Sequence, residues 1–353
     1  MATAPDLATA PGSSHPLSGG KLPRWAPWGV ALAAIALALL LAAFTGIAGV
    51  AGTTIVAALL FLVLLTGWSF SVEGRRHATD RLATTLVYSC FVLAAAPLIF
   101  ILGTVVINGL KAFNVEFLTH SMRNVSANDT GGGIYHALIG TIEMVGIAAL
   151  IGIPIGILVA IYLVEYGGGR AFARSVSFFV DVMTGVPSIV AGLFVYTAFV
   201  LTLGFDRSGF AGALALTILM IPIMVRSTEE MLKLVPNDLR ESSYALGVPR
   251  YRTILRIVLP TASTGIVTGA MLAIARVAGE TAPLLLTTFL SQSINPNPFS
   301  DPQASIPTFI WDQIGQGTDA SINRAWAGAL TLILLVLLLN VVARLLARFN
   351  RIK

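Results

Sequence analysis

Asp238-Leu-Arg-Glu-Ser-Ser-Tyr-Ala-Leu-Gly247-Val-Pro-Arg-Tyr-Arg-Thr-Ile-Leu-Arg-Ile-Val-Leu-Pro260 is a polar, arginine-bearing stretch between two long apolar runs. Within it Glu241, Gly247, Ile257, Leu259 and Pro260 stand at set intervals. Pro236 stops the preceding run, and Asp238 with Glu241 three residues on reads as a capping box opening a short helix. Gly247 falls where a helix C-terminus takes a left-handed residue, and Pro249 follows as a stop or restart. A second helix is expected over 250–259, ending at Pro260. Helix, glycine elbow and helix make a compact knob that can press into a groove of another protein. The plainer reading is a solvated connector between membrane spans.

Working outward, the chain has 353 residues, of which 56% are hydrophobic and 11% charged. That balance excludes an ordinary soluble domain and makes lipid the main solvent. The single cysteine, Cys90, lies in an apolar run, which supports neither a disulfide nor a thiolate metal site. Four scattered histidines have no metal-ligand spacing, and the net charge of +5 is not gathered on one face as nucleic acid would require.

Apolar windows predict eight membrane spans: 27–45, 48–70, 83–107, 134–163, 176–203, 209–225, 263–290 and 325–346. With both termini inside, 17 of the 22 basic residues fall on the cytoplasmic side. Only Lys111, Arg123, Arg207 and Arg324 then lie outside, with Arg276 in a span. The positive-inside rule selects that orientation, and it puts the 226–262 loop in the cytoplasm. Residues 1–24 are expected to be a disordered cytoplasmic tail. The first span reads as a retained anchor rather than a signal peptide, because it is long and another span follows at once. The outer loops 108–133 and 291–324, with an amphipathic stretch over 306–314, are expected to form a landing surface for an external partner.

Ionisable groups in the bilayer need a reason. Arg276 and Glu280 are four residues apart, so one continuous helix would put them on one face. Arg276 would lie about 20 Å along that helix. Either the two neutralise each other, or Arg276 attracts an anion in a polar pathway while Glu280 steadies it and keeps binding reversible. Glu143 and Asp181 are weaker signals, each protonated or paired with Arg276 or a neighbouring subunit. Gly185-Val-Pro187-Ser188 is a candidate hinge or kink. Asp129-Thr-Gly-Gly-Gly133 is read as a flexible turn, with an anion nest of amides as the alternative.

The 241–260 spacing resembles the cytoplasmic loop by which ABC importer permeases engage their ATPase, with Ser242 and Ser243 where two alanines are common. Arg276-x-x-Gly279-Glu280-Thr281-Ala-Pro283-Leu-Leu285 is similar to the signature of phosphate-specific importer permeases of the PstA type. Tyr162-Leu-x-Glu165-Tyr166, Gly185-Val-Pro187-Ser188 and Ser243-Tyr-Ala-Leu-Gly247 add to the likeness, which covers about residues 80–353.

The resemblance implies an all-α transmembrane fold: a type I ABC importer permease core of six helices over 81–353. Residues 25–80 add two N-terminal transmembrane helices and a linker. It assigns ATPase docking to Asp238, Glu241, Ser242, Ser243, Ala245, Gly247 and Pro260, and the translocation pathway to Arg276, Glu280 and Thr281. Gly185, Pro187 and Ser188 are the possible hinge. The implied partners are a PstC-like permease, a PstB-like cytoplasmic ATPase dimer and a PstS-like external phosphate-binding protein. No Walker-A sequence is present. The chain is therefore expected to be a non-catalytic subunit without a cofactor of its own, ATP and Mg being bound by the ATPase. The alternatives are a permease for another oxyanion such as sulfate or molybdate, and an ion-coupled secondary transporter. The latter's usual pointer, interrupted helices at matching places, is not evident in the sequence. A role in signalling phosphate status could coexist with transport.

Overall fold

A computed structural model describes residues 20–45 and 49–349. Of the tail expected over 1–24, residues 1–19 lie outside the described residues, as do Arg351 and Lys353; the remaining 20–24 are not a free tail, because Leu22 is buried with its amide bonded to Glu73. Every regular element among those described is helical.

The chain divides into two compact units, 1–102 and 103–353. In the first, α1 (Ala26–Thr45) and α2 (Val50–Glu73) form a hairpin. Ala26, Val30, Ala34 and Ala38 recur every fourth residue and are buried. Small side chains suit close packing in lipid, where apolar burial alone gives little drive between helices. Trp25 meets Trp68 edge to face at 6.1 Å. The hairpin ends on a carboxylate: Glu73 takes hydrogen bonds from the Leu22 amide, Ser69 and Arg81, the last an ion pair of 2.6 Å. Arg81 lies on α3 (Arg75–Gly109).

The second unit is built around α8 (Gly209–Lys233), the most buried of the long apolar helices. It runs alongside α5 (Tyr135–Ile161) and buries Met144, Ala148, Leu216, Met220 and Met224 between them. α11 (Leu259–Ala278) packs on α8 and on α14 (Asp319–Phe349). Among the described residues, seven helices are long and apolar enough to span a membrane, or eight if one bent pair counts as a single span. The multi-pass character expected from composition therefore stands.

Two expected spans are not continuous. The predicted 176–203 helix is split into α6 (Ala171–Thr184) and α7 (Ser188–Val195), bent by 106°. α7 continues through a wider π-helical stretch, Tyr196–Thr202. Pro187 has no amide hydrogen and disfavours a helical Val186, so the ladder stops at Gly185 and restarts at Ser188. The predicted 263–290 helix is likewise split, into α11 and α12 (Ala282–Thr287). There Pro283 cannot donate to the Gly279 carbonyl and crowds it.

The expected landing surface is partly interior. α13 (Ile306–Gln316) forms from the amphipathic stretch and starts with a Ser305–Thr308 capping box. Gln303 through Phe309 are buried, and the Ile306 amide donates to Thr141 of α5 at 2.8 Å. The 303–305 segment is thus tucked between helices, where its backbone groups need internal partners.

Candidate functional site

Two regions hold the residues singled out above. The first is the knob after α8. Its opening helix, α9 (Asn237–Ala245), has Pro236 at the N-cap and no side-chain cap. The expected capping box does not form, because Asp238 falls inside the first turn and not at its start. There its charge still complements the positive end of the helix dipole. Gly247 adopts φ +73°, as expected of a left-handed C-cap. Its amide donates to the Tyr244 carbonyl, and the Val248 amide donates to that of Ser243.

The second helix of the knob does not end at Pro260. α10 (Arg250–Thr253) passes through a π-helical turn, Ile254–Val258, straight into α11, with Pro260 in the first turn of α11 where its missing amide costs nothing. Asp238, Glu241, Ser242, Ala245, Gly247 and Pro260 are exposed. Ser243 is not: it is buried and shares a 2.8 Å hydrogen bond with Thr253, so it joins the two arms of the knob instead of facing outward. Leu246, 83% exposed, and Leu239 add apolar surface beside Glu241.

Sequence reasoning missed what holds the knob in place. Arg240 points back from α9, giving Nε and Nη2 to Glu165 Oε1 at 3.1 and 2.8 Å. It also donates to the carbonyls of Leu232 and Val235 at 2.9 and 2.6 Å. Glu165 lies in the π-helical turn Tyr162–Tyr166 that ends α5, and it is buried. Arg250 sits over the neighbouring Tyr166 ring at 5.1 Å. With 75 residues between Arg240 and Glu165, no local pattern signals the pair.

The second region is the break after α11. The helix ends at Ala278, so Glu280 is beyond it and the four-residue spacing no longer puts both charges on one face. No ion pair links Arg276 to Glu280 among the described residues. Arg276 is exposed on the isolated chain, while Glu280 and Thr281 are half-buried, Thr281 at the N-cap of α12. The two interrupted helices meet here. Gly192 of α7 lies against Pro283 of α12, where an added Cβ would stand 2.5 Å from the proline Cα. Only glycine permits this approach. Interrupted helices, not evident in the sequence, are therefore present, although within a different architecture from the paired repeats of secondary transporters.

The remaining charged candidates are paired elsewhere. Asp181 binds Arg226 at 2.5 Å, and Arg226 also engages Glu229 and the Ser177 hydroxyl and carbonyl. These contacts fasten α6 to α8. Glu143 accepts from Gln303 at 2.5 Å, so neither carboxylate reaches Arg276. Gly185 has a right-handed φ of −88° and Ser188 begins α7, so the candidate hinge is a sharp helix break. The Asp129–Gly133 segment is no amide nest. The carbonyls of Ala127, Asp129 and Gly131 instead accept from the buried Arg324, which also donates to Gln313 at 2.7 Å.

A family model described as "Binding-protein-dependent transport system inner membrane component" matches residues 152–352. Phosphate transport system permease protein PstA 1 of Mycobacterium tuberculosis is 48% identical over 273 residues, 77% of this chain and 90% of the relative. This chain belongs to the PstA family of transport permeases. The PstA protein of Haemophilus influenzae is 41% identical over 76% of this chain and 94% of its own length. Among solved structures, an ABC transporter involved in import of the acidic polysaccharide alginate gives a TM-score of 0.52 at 17% identity, covering 78% of this chain and 99% of that one. The inward-facing MetNI methionine transporter gives 0.50 at 20%, covering 61% and 93%. These two likenesses establish the importer permease fold of this PstA-family chain.

Proposed function

We propose that this chain forms half of the translocation pathway of an ATP-driven importer for inorganic phosphate. The observation that carries the reading is the match to PstA permeases across nearly their whole length. The geometry supports it: the Arg276 guanidinium, with no ion-pair partner among the described residues, stands beside a helix break and offers positive charge to an oxyanion. Arginine suits the planar, multi-donor recognition of phosphate oxygens.

The chain pairs with a PstC-like permease, and both of its termini are cytoplasmic. A PstB-like ATPase dimer receives the exposed face of the knob, and a PstS-like protein delivers phosphate from outside. ATP is hydrolysed by the ATPase and not by this chain. Closure of the ATPase pair on ATP moves the knob, and the pathway alternates between its two openings.

Labelled phosphate uptake at low external concentration, in cells with and without the chain and with backup transporters removed, tests the cargo. Loss of uptake on depletion, with competition by unlabelled phosphate and not by sulfate or molybdate, is the expected result. Unchanged uptake would overturn phosphate as cargo. The docking face is tested separately by Glu241→Lys. Reversing an exposed charge costs the fold little, so the chain should accumulate normally and fail to retain the ATPase on purification. Undiminished co-purification and ATP hydrolysis would count against docking there.

A further inference from the structure

Arg240 joins three separate pieces of backbone. It belongs to α9, the first arm of the knob. Its guanidinium bonds to Leu232, in the last turn of α8, to Val235 in the linker, and to Glu165 at the end of α5. A further contact at 3.3 Å reaches the Asn237 side chain. Helix C-termini leave carbonyls without intrahelical partners, and a cation is favoured at that end of the dipole. The fork of five donors is therefore fully used, which a lysine could not reproduce.

Glu165 is 3% exposed and takes two hydrogen bonds from Arg240. A buried carboxylate without its cation is strongly unfavourable, so the pair is expected to move together. α5 and α8 pack along one another, so their ends behave as one body. Exposed Glu241 and Ser242 follow Arg240 directly on α9. A push on the outward face of the knob is thereby delivered to both helices through one inward-facing side chain. Arg250 over Tyr166 gives the second arm a footing on the same corner.

From this geometry we propose that the Arg240–Glu165 pair is the rigid link by which movement of the knob drives α5 and α8. Arg240 is a positioning residue: it touches neither ATP nor the transported anion. The proposal rests on the docking reading given above and specifies how that docking does mechanical work. Without the link, α9 can still bind the ATPase but rocks on its linker, and the strokes are no longer passed on.

The test uses the complete complex, purified with its ATPase and reconstituted in liposomes, and measures phosphate imported per ATP hydrolysed. For Arg240→Gln this ratio is expected to fall about tenfold, within the range for residues that carry coupling between sites. The ATPase should still co-purify and hydrolyse ATP. Glu165→Gln keeps an acceptor oxygen and should fall less, and Arg240→Lys, which keeps the charge without the fork, should lie between wild type and Arg240→Gln. An unchanged ratio in Arg240→Gln would overturn the proposal. So would import and hydrolysis declining in parallel with the amount of chain, which would make the pair a contributor to folding only. If the wild-type chain holds no ATPase, the docking reading itself fails, a result distinct from either.

Discussion

Replacing Arg276 with leucine is expected to cut phosphate uptake about thirtyfold, the loss of a charge-assisted contact worth about 2 kcal/mol. The amount of chain in the membrane should not change. Arg276 is exposed on this chain and its guanidinium has no hydrogen-bond or ion-pair partner among the described residues, so no internal side-chain contact is broken. That separates it from Arg226, Arg240 and Arg324, whose removal would leave partners unsatisfied. Arg276→Lys keeps the positive charge and should retain part of the transport. Uptake measured at low external phosphate, normalised to immunodetected chain, gives the comparison. Normal uptake by Arg276→Leu would reject the residue as a waypoint for the anion. Because no Glu280 ion pair holds the guanidinium, Glu280→Gln should be much milder than any loss of charge at Arg276.

Gly192→Leu is expected to have the largest effect on the folded state. An added Cβ alone would stand 2.5 Å from the Pro283 Cα and 2.9 Å from its carbonyl oxygen. These are backbone atoms and cannot swing aside. Overpacking of this kind costs about 3 kcal/mol, and the leucine branch adds further conflict. α7 and α12 would be forced apart where the two helix breaks meet, so the thermal midpoint in detergent should drop by several degrees with loss of transport. Gly315→Ala is the matched control. It lies on α13 with nothing within contact distance of an added Cβ, and the change should be neutral within about 1 kcal/mol. Equal stability of Gly192→Leu and wild type would show that α7 and α12 do not pack this closely in the protein.

What could be read from the chain alone was whatever is local or repeats. Apolar runs long enough for the bilayer, with few charges inside them, determined the membrane class and six of the eight expected spans as continuous long helices, because each span satisfies its own backbone. Gly247 was legible because a left-handed C-cap is a property of one residue and its neighbours. The motifs around Glu241 and Glu280 pointed to the family that near-full-length relatives then established.

Which prolines interrupt a helix was not legible. Pro97, Pro154 and Pro222 lie inside continuous helices, whereas Pro187 and Pro283 stand at breaks. Each removes one backbone donor, so the local cost is similar. At the two breaks the shortened helices that follow pack on each other through Gly192 and Pro283, a contact between residues about ninety positions apart. The same separation hid the ion pairs. Arg276 and Glu280 looked joined because spacing is visible, and the break at Gly279 undid that. Arg240–Glu165 and Arg226–Asp181 join residues from different helices, and the Glu143–Gln303 hydrogen bond joins α5 to the segment before α13. Charge in a low-dielectric interior seeks the nearest partner in space, and only the tertiary structure decides which residue that is.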